Sequence, residues 1–184
     1  QGRRGSATNY QVDSAESIAG YIQNRIVFTD RLSVTPGLRV ESYEQKRQVK
    51  LANSLPVNTS ATTRNTELLP GIGATFQVIP EAQIYGGVYR AFSPASNGVA
   101  LDQLTDQKLD GERSVNWELG IRGTAGALRY EVTGFYMDFS NLVVTGNSNP
   151  ALSQSNAGES RHYGLETSLA FELGHGFSVD GNLT

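Results

Sequence analysis

Alternation of apolar and polar residues is the feature of this 184-residue chain that most restricts its fold. Within residues 32–40 the even positions are apolar (Leu, Val, Pro, Leu, Val) and the odd positions are polar or glycine. Successive side chains of a β-strand point to opposite faces, so this period predicts a strand and does not fit a helix. About eight segments alternate in this way, some less regularly: residues 18–28, 32–40, 72–78, 83–92, 115–121, 128–139, 163–171 and 177–183.

Two of these segments leave their facing open. Apolar or aromatic residues occupy both parities in the 83–92 segment, which contains Tyr85 and Tyr89, so the facing of Arg90 is undetermined. In the 128–139 segment, Phe135 and Phe139 fall on the parity opposite to most of the other apolar residues.

Composition excludes several classes of protein. No segment approaches the roughly 18 uncharged apolar residues of a membrane-spanning helix. The absence of cysteine excludes a disulfide scaffold. A net charge of −3 provides no basic field for nucleic acid. What remains is an all-β or mixed protein whose apolar residues are spread along the chain.

The connections between the predicted strands alternate between short and long. Tight turns are predicted at residues 29–31, 80–82, 124–127 and 174–176, and long polar loops at 48–65, 93–113 and 145–161. Short periplasmic turns, long extracellular loops and strands that alternate apolar with polar residues are typical of outer-membrane barrels. The sequence therefore predicts an antiparallel up-and-down transmembrane β-barrel wall. A soluble β-sandwich remains the alternative.

Several motifs, in order along the chain, resemble the barrel of TonB-dependent outer-membrane receptors. The first is Pro36-Gly37-x-Arg39-x-Glu41, and the most extensive is a Glu-x-x-x-x-aromatic-Glu-x-Gly-x-Arg signature that ends at Arg122 and has Gly111 where proline is common. The other matching stretches are residues 69–73, 84–94, 134–141 and 156–166. The resemblance is nearest to the ferric-citrate branch of the siderophore receptors.

The resemblance implies a barrel of 22 strands whose lumen is closed by an N-terminal plug. About eight strands then make residues 1–184 a partial barrel domain, with the plug, the TonB-contacting box and the C-terminal strands outside it. It also implies active import of a ferric siderophore, such as ferric citrate, energised by the TonB–ExbB–ExbD complex through the missing N-terminal region. A passive pore or small structural barrel, and a soluble all-β binding module, are the alternative functions.

Basic residues beside the predicted loops are candidate ligand contacts. Guanidinium groups make planar, bidentate contacts with carboxylates, which suits an anionic chelate. The candidates are Arg64, Arg90, Arg113 and Arg161, with His162 beside the last. The alternative interpretation is that these are solvated rim charges, or that they bind lipopolysaccharide phosphates.

Charged residues on the polar face of the predicted strands have a different expected role. Arg39, Glu41, Glu118 and Arg122 are expected to face the lumen or the plug as charge ladders between neighbouring strands. No motif for an enzyme or for a protein-bound metal is present, and no cofactor is expected, since iron is carried as a chelate in the substrate. Tyr130, Tyr136 and Tyr163 are expected to anchor the barrel at the lipid headgroups.

Overall fold

The computed structural model describes residues 7–95, 101–102, 107–108, 111–145 and 154–184. All regular structure in these residues is β-strand, and no helix among them could span a membrane. The strands are β1 (Tyr10–Gln23), β2 (Ile26–Val27), β3 (Leu32–Ala52), β4 (Leu55–Ile79), β5 (Ala82–Ser93), β6 (Leu101–Asp102), β7 (Gln107–Lys108), β8 (Glu112–Ala125), β9 (Leu128–Thr145), β10 (Gln154–Gly174) and β11 (Phe177–Leu183).

The long strands form one antiparallel meander. Their order in the sheet is β1-β3-β4-β5-β8-β9-β10-β11, with the short β2 beside β3 and a separate β6–β7 ribbon. Neighbours in the sheet are therefore also neighbours along the chain, apart from these short strands. The predicted all-β, up-and-down fold is confirmed.

Three of the four predicted short turns connect neighbouring long strands of the meander. Two-residue connections lie between β4 and β5, between β8 and β9, and between β10 and β11. In the last of these, His175 and Gly176 both have positive φ (54° and 84°), the conformation of a type I′ hairpin turn. The residue 29–31 turn leads from β2 into β3.

The prediction of a long loop at residues 48–65 is wrong. β3 and β4 stay paired up to Ala52 and Leu55, and Asn53 and Ser54 form the turn with φ of 48° and 65°. Likewise, β10 already begins at Gln154. In these extensions both faces are polar, so the strands give no apolar alternation to detect. Much of the two other predicted loops, residues 96–100, 103–106, 109–110 and 146–153, lies outside the described residues.

Burial on the two faces of the sheet is the reverse of that in a soluble protein. One face, here called the outer face, carries exposed apolar residues; Leu119 and Leu165 are each 66% exposed. The other, the inner face, holds buried polar side chains such as Ser33, Glu67 and Asn116. This distribution fits a wall with lipid on one side and a wet lumen on the other.

The apolar band of the outer face has the length that a membrane requires. It covers residues 68–78 on β4, 128–136 on β9 and 163–171 on β10, which is nine to eleven residues on each strand. A transmembrane β-strand needs about 9–11 residues. The strands then continue past the band at the end away from the short turns.

Strand register settles the facings that the sequence left open. Tyr85 and Tyr89 lie opposite Thr75 and Gly71, on the inner face, whereas Arg90 lies opposite Val115, on the outer face. On β9, the register places Phe135 and Phe139 on the inner face and the tyrosines on the outer face.

Candidate functional site

Charged side chains on the inner face make hydrogen bonds within one strand, as Arg39 does with Glu41, and to polar partners on neighbouring strands. Arg39 Nη2 donates to Glu41 Oε2 at 2.9 Å, and Ser17 Oγ donates to Glu41 Oε1 at 2.8 Å. These hydrogen bonds, from Arg39 first and Ser17 second, lower the pKa of the Glu41 carboxyl. Glu41, ionised at neutral pH in any case, therefore keeps its charge further into the acid range.

The inner face of β5, β8 and β9 continues this polar lining. Tyr89 donates its hydroxyl hydrogen to Glu118 Oε1 at 2.8 Å. Arg122 donates to Gln83 Oε1 at 2.9 Å, and its guanidinium lies 5.0 Å from the centre of the Tyr85 ring. Arg39, Glu41, Glu118 and Arg122 thus share the inner face, and their expected role towards a plug stays a prediction.

A hollow of about 480 Å³ lies among these groups on the inner face. Glycines at positions 37, 71, 73 and 87 leave its floor without side chains, and Arg39, Tyr85 and Tyr89 stand around it. A Cβ on Gly71 would lie only 3.0 Å from Tyr89 Cβ. The glycines therefore let the tyrosine rings lie close to the sheet.

The end of β5 and the start of β8 contact the β3–β4 hairpin through Phe92, Ala95 and Arg113. We call these contacts the β5–β8 latch. Phe92 has the parity of the outer residues Val88 and Arg90, yet its ring lies 5.1 Å from Tyr43, which is on the inner face. Gln45 Nε2 also donates to the carbonyl oxygen of Ala95 at 2.7 Å. Since β5 leaves β4 after Tyr89, its end must curl over the inner face of the sheet.

The latch is completed by a bidentate ion pair. Arg113 Nη2 and Nε donate to the two carboxylate oxygens of Glu67 at 2.5 and 3.1 Å. Glu67 is only 8% exposed. Because a buried carboxylate without a partner is costly, this pair fixes where β8 begins relative to β4.

Replacing Arg113 with alanine should open the latch. The change leaves Glu67 buried without its cation, at an expected cost of roughly 1–3 kcal/mol. Amide hydrogen exchange in the last residues of β5 and the first residues of β8 should accelerate by about tenfold or more. The control is Arg64→Ala, which removes an exposed guanidinium from a carboxylate on the outer face and should leave exchange in β5 and β8 unchanged. Equal exchange in wild type and Arg113→Ala would show that the ion pair does not hold the latch.

The remaining candidate ligand contacts do not come together. Arg64 bonds to Glu44 on the outer face, and Lys46 lies 2.5 Å from the same carboxylate. Hydrogen bonds from Lys46 and Arg64 lower the pKa of Glu44, and the Glu44 carboxylate raises the pKa of Lys46. The register places Arg90 and Arg161 on the outer face as well.

Of the five candidates, His162 and Arg113 are directed to the inner side. His162 has the parity of Gly164 and Ser168 on β10, and its Nε2 lies 3.0 Å from Ser160 Oγ. Phe139 packs edge-on against the imidazole at 5.2 Å. Sequence reasoning did not identify Tyr43, Gln45 and Glu67 as residues of the inner face. Tyr43 and Gln45 lie at odd positions of β3, as Arg39 and Glu41 do, and this shared parity was the signal that could have placed them there.

Among the described residues, no three His, Cys, Asp or Glu side chains are grouped so that they could hold a metal ion.

Apolar outside, polar inside, with short turns at one end and long hairpins at the other, this sheet is a segment of an outer-membrane β-barrel wall. The family model described as TonB dependent receptor-like, beta-barrel matches residues 1–184. The chain therefore belongs to the TonB-dependent receptor β-barrel family, whose members are outer-membrane proteins, as the motifs predicted.

Three known proteins illustrate the likeness. An uncharacterized TonB-dependent receptor of Haemophilus influenzae is 25% identical over 175 residues, covering 95% of this chain and 50% of that protein. The crystal structure of the ferric yersiniabactin uptake receptor FyuA from Yersinia pestis superposes with a TM-score of 0.75 at 21% identity, over 94% of this chain and 26% of that one. The crystal structure of the unliganded ferric citrate transporter FecA superposes with a TM-score of 0.73 at 22% identity. The superposition covers 90% of this chain and 24% of that one.

The chain thus spans between about a quarter and half of these proteins. At these identities the two structures show the fold, while the family match carries the assignment. The relatives are receptors and transporters by name, and none of the three is named as an enzyme.

Proposed function

We propose that the receptor containing this chain imports a ferric siderophore across the outer membrane, energised by TonB, ExbB and ExbD through a region outside residues 1–184. The observation that carries the proposal is the inner face, whose polar groups run from the latch down to Gln83 and Arg122 near the short turns. Such a lining suits a large hydrated chelate. FyuA and FecA, named for ferric yersiniabactin and ferric citrate, favour iron as the cargo.

Within this proposal, a carboxylate chelate such as ferric citrate is the substrate class. Arg113 and His162 are the proposed contacts, because both are directed to the inner side of the sheet near its extended end. Guanidinium and imidazole hydrogen bonds suit carboxylate oxygens. The outer facing of Arg64, Arg90 and Arg161 favours a different role for them.

Uptake of radioactive iron by cells that carry this receptor as their single siderophore receptor tests the proposal. Ferric citrate should support uptake, and the uptake should cease when TonB is deleted, because the lumen does not conduct without energy. Uptake that continues without TonB would indicate a passive pore instead. Uptake of another ferric siderophore but not of ferric citrate would retain import and reject the citrate assignment.

Replacing His162 with alanine should raise the KM for uptake by about tenfold, which corresponds to the loss of about 1.4 kcal/mol of ligand binding. The matched control is His175→Ala, since His175 lies in the short β10–β11 turn at the opposite end of the sheet. The maximal rate should not change in either variant. An unchanged KM in His162→Ala would remove His162 from the ligand site.

A further inference from the structure

The outer face of β5, β8, β9 and β10 is ordered into rows by the strand register. The charged row is Arg90, Val115, Asp138 and Arg161, in which each residue is the register partner of the next. It lies at the end of the sheet that carries the long hairpins, immediately past the apolar band. On β9 and β10, where the apolar band ends at Tyr136 and Tyr163, this position corresponds to the headgroups of the outer leaflet.

Three aromatic side chains form the next row towards the membrane. The ring row is Trp117, Tyr136 and Tyr163. The ring centres of Trp117 and Tyr136 lie 5.5 Å apart, and those of Tyr136 and Tyr163 lie 6.4 Å apart in a stacked arrangement. Aromatic residues of this kind mark the boundary between headgroups and hydrocarbon.

An apolar groove lies beneath the ring row. Leu119, Gly134 and Leu165 form the third row, and the missing side chain at Gly134 leaves a notch between the two leucines. The groove has a volume of about 1000 Å³, and Trp117, Tyr136 and Tyr163 line its upper end. It therefore opens below the charged row, with the ring row between them.

The guanidinium groups of the charged row have donors to spare. Within the part of the chain that the structure describes, the Arg90 guanidinium makes no hydrogen bond or ion pair. Arg161 Nε lies 3.6 Å from Asp138 Oδ1, beyond hydrogen-bond distance. Two arginines and one aspartate leave the row with an excess of one positive charge, which suits an anionic headgroup.

We propose that this surface binds a phosphorylated lipid of the outer leaflet, with its phosphate on Arg90 and Arg161 and an acyl chain in the Gly134 groove. Arginine binds phosphate in bidentate fashion, and three strand spacings of about 4.8 Å separate the two arginines, which lets them hold two phosphates of one headgroup. Lipid tails are as apolar as leucine, so the groove selects by shape while the phosphates supply most of the preference. The site is independent of the imported substrate.

Native mass spectrometry of the complete receptor, titrated with bisphosphorylated lipid A, tests this proposal. The Arg90→Ala/Arg161→Ala double variant should bind the lipid about tenfold more weakly, the equivalent of one charge-assisted hydrogen bond. Dephosphorylated lipid A should bind to the wild type about tenfold more weakly than bisphosphorylated lipid A does. The control is Arg31→Ala/Arg129→Ala, which removes two exposed arginines near the short turns and should bind as the wild type does.

A separate variant tests the contribution of the groove to lipid binding. Gly134→Leu fills the notch, and its Cβ would make an ordinary 3.6 Å contact with Leu165 Cδ2, so we expect it to fold and to bind the phosphorylated lipid several-fold more weakly. Equal binding by the wild type and the double arginine variant, or equal binding of the two lipids by the wild type, would overturn the proposal. The comparison of the two lipids needs no variant, so it holds even where a variant assembles poorly.

Discussion

Gly123→Val is expected to prevent the receptor from assembling in the outer membrane. A Cβ at this position would lie 2.0 Å from the carbonyl oxygen of Glu81 and 2.9 Å from the Tyr130 hydroxyl oxygen. The same Glu81 oxygen accepts a hydrogen bond from the Thr124 N–H at 2.9 Å. The turn between β4 and β5 would have to move by about 1 Å and lose this bond.

A backbone carbonyl cannot rotate away as the tip of a flexible side chain can. Gly123→Val should therefore lower the free energy of unfolding by about 3 kcal/mol or more. The measurement is the fraction of receptor that migrates as a folded barrel in unheated gel electrophoresis. Gly20→Val is the matched control, because a Cβ on Gly20 meets nothing within 4 Å and Gly20 faces outward beside Val40. Folded Gly123→Val at the wild-type level would show that the close approach to Glu81 is not required.

Ile121→Arg is the second change expected to have a large effect. Ile121 lies on the outer face beside Val132, midway between the ring row and the β8–β9 turn. An arginine at the midplane of a barrel costs about 2–4 kcal/mol, whereas the same residue near the interface costs about 0–1 kcal/mol. The free energy of unfolding of the receptor in phospholipid vesicles should fall accordingly.

Val115→Arg provides the matched control for depth. Val115 lies on the same strand and the same face, but in the charged row, at the level of the headgroups. Its substitution should change the free energy of unfolding by less than about 1 kcal/mol. Similar losses for the two variants would contradict the placement of the membrane between the ring row and the short turns.

The sequence predicted the strands best where one face meets lipid. Between Leu32 and Val40 the alternation is strong, because every second side chain must be apolar. The same signal disappears above the band, where water wets both faces of the β3–β4 hairpin. Prediction therefore failed at residues 48–65 for a physical reason and not through weak statistics.

Facing and side-chain contacts needed the structure. Tyr85 and Tyr89 count as apolar in a sequence pattern, yet their hydroxyls donate to Glu131 and Glu118 on the inner face. For that reason the parity of Arg90 could not be assigned. The latch was also out of reach, because Glu67 and Arg113 are brought together by the curl at the end of β5, which alternation does not encode.

The extended β3–β4 hairpin carries the receptor well beyond the membrane. Residues 55–67 of β4 continue past the apolar band, and with a strand tilt of about 45° they rise roughly 30 Å above it, as far as the hydrocarbon core is thick. The Ser54 N–H donates to the Thr8 carbonyl oxygen at 2.7 Å, so the residues just before β1 accompany the tip. Exposed substitutions in such a hairpin are nearly neutral for stability, typically within about 0.5 kcal/mol. The tip can thus change in sequence while the barrel beneath it stays the same.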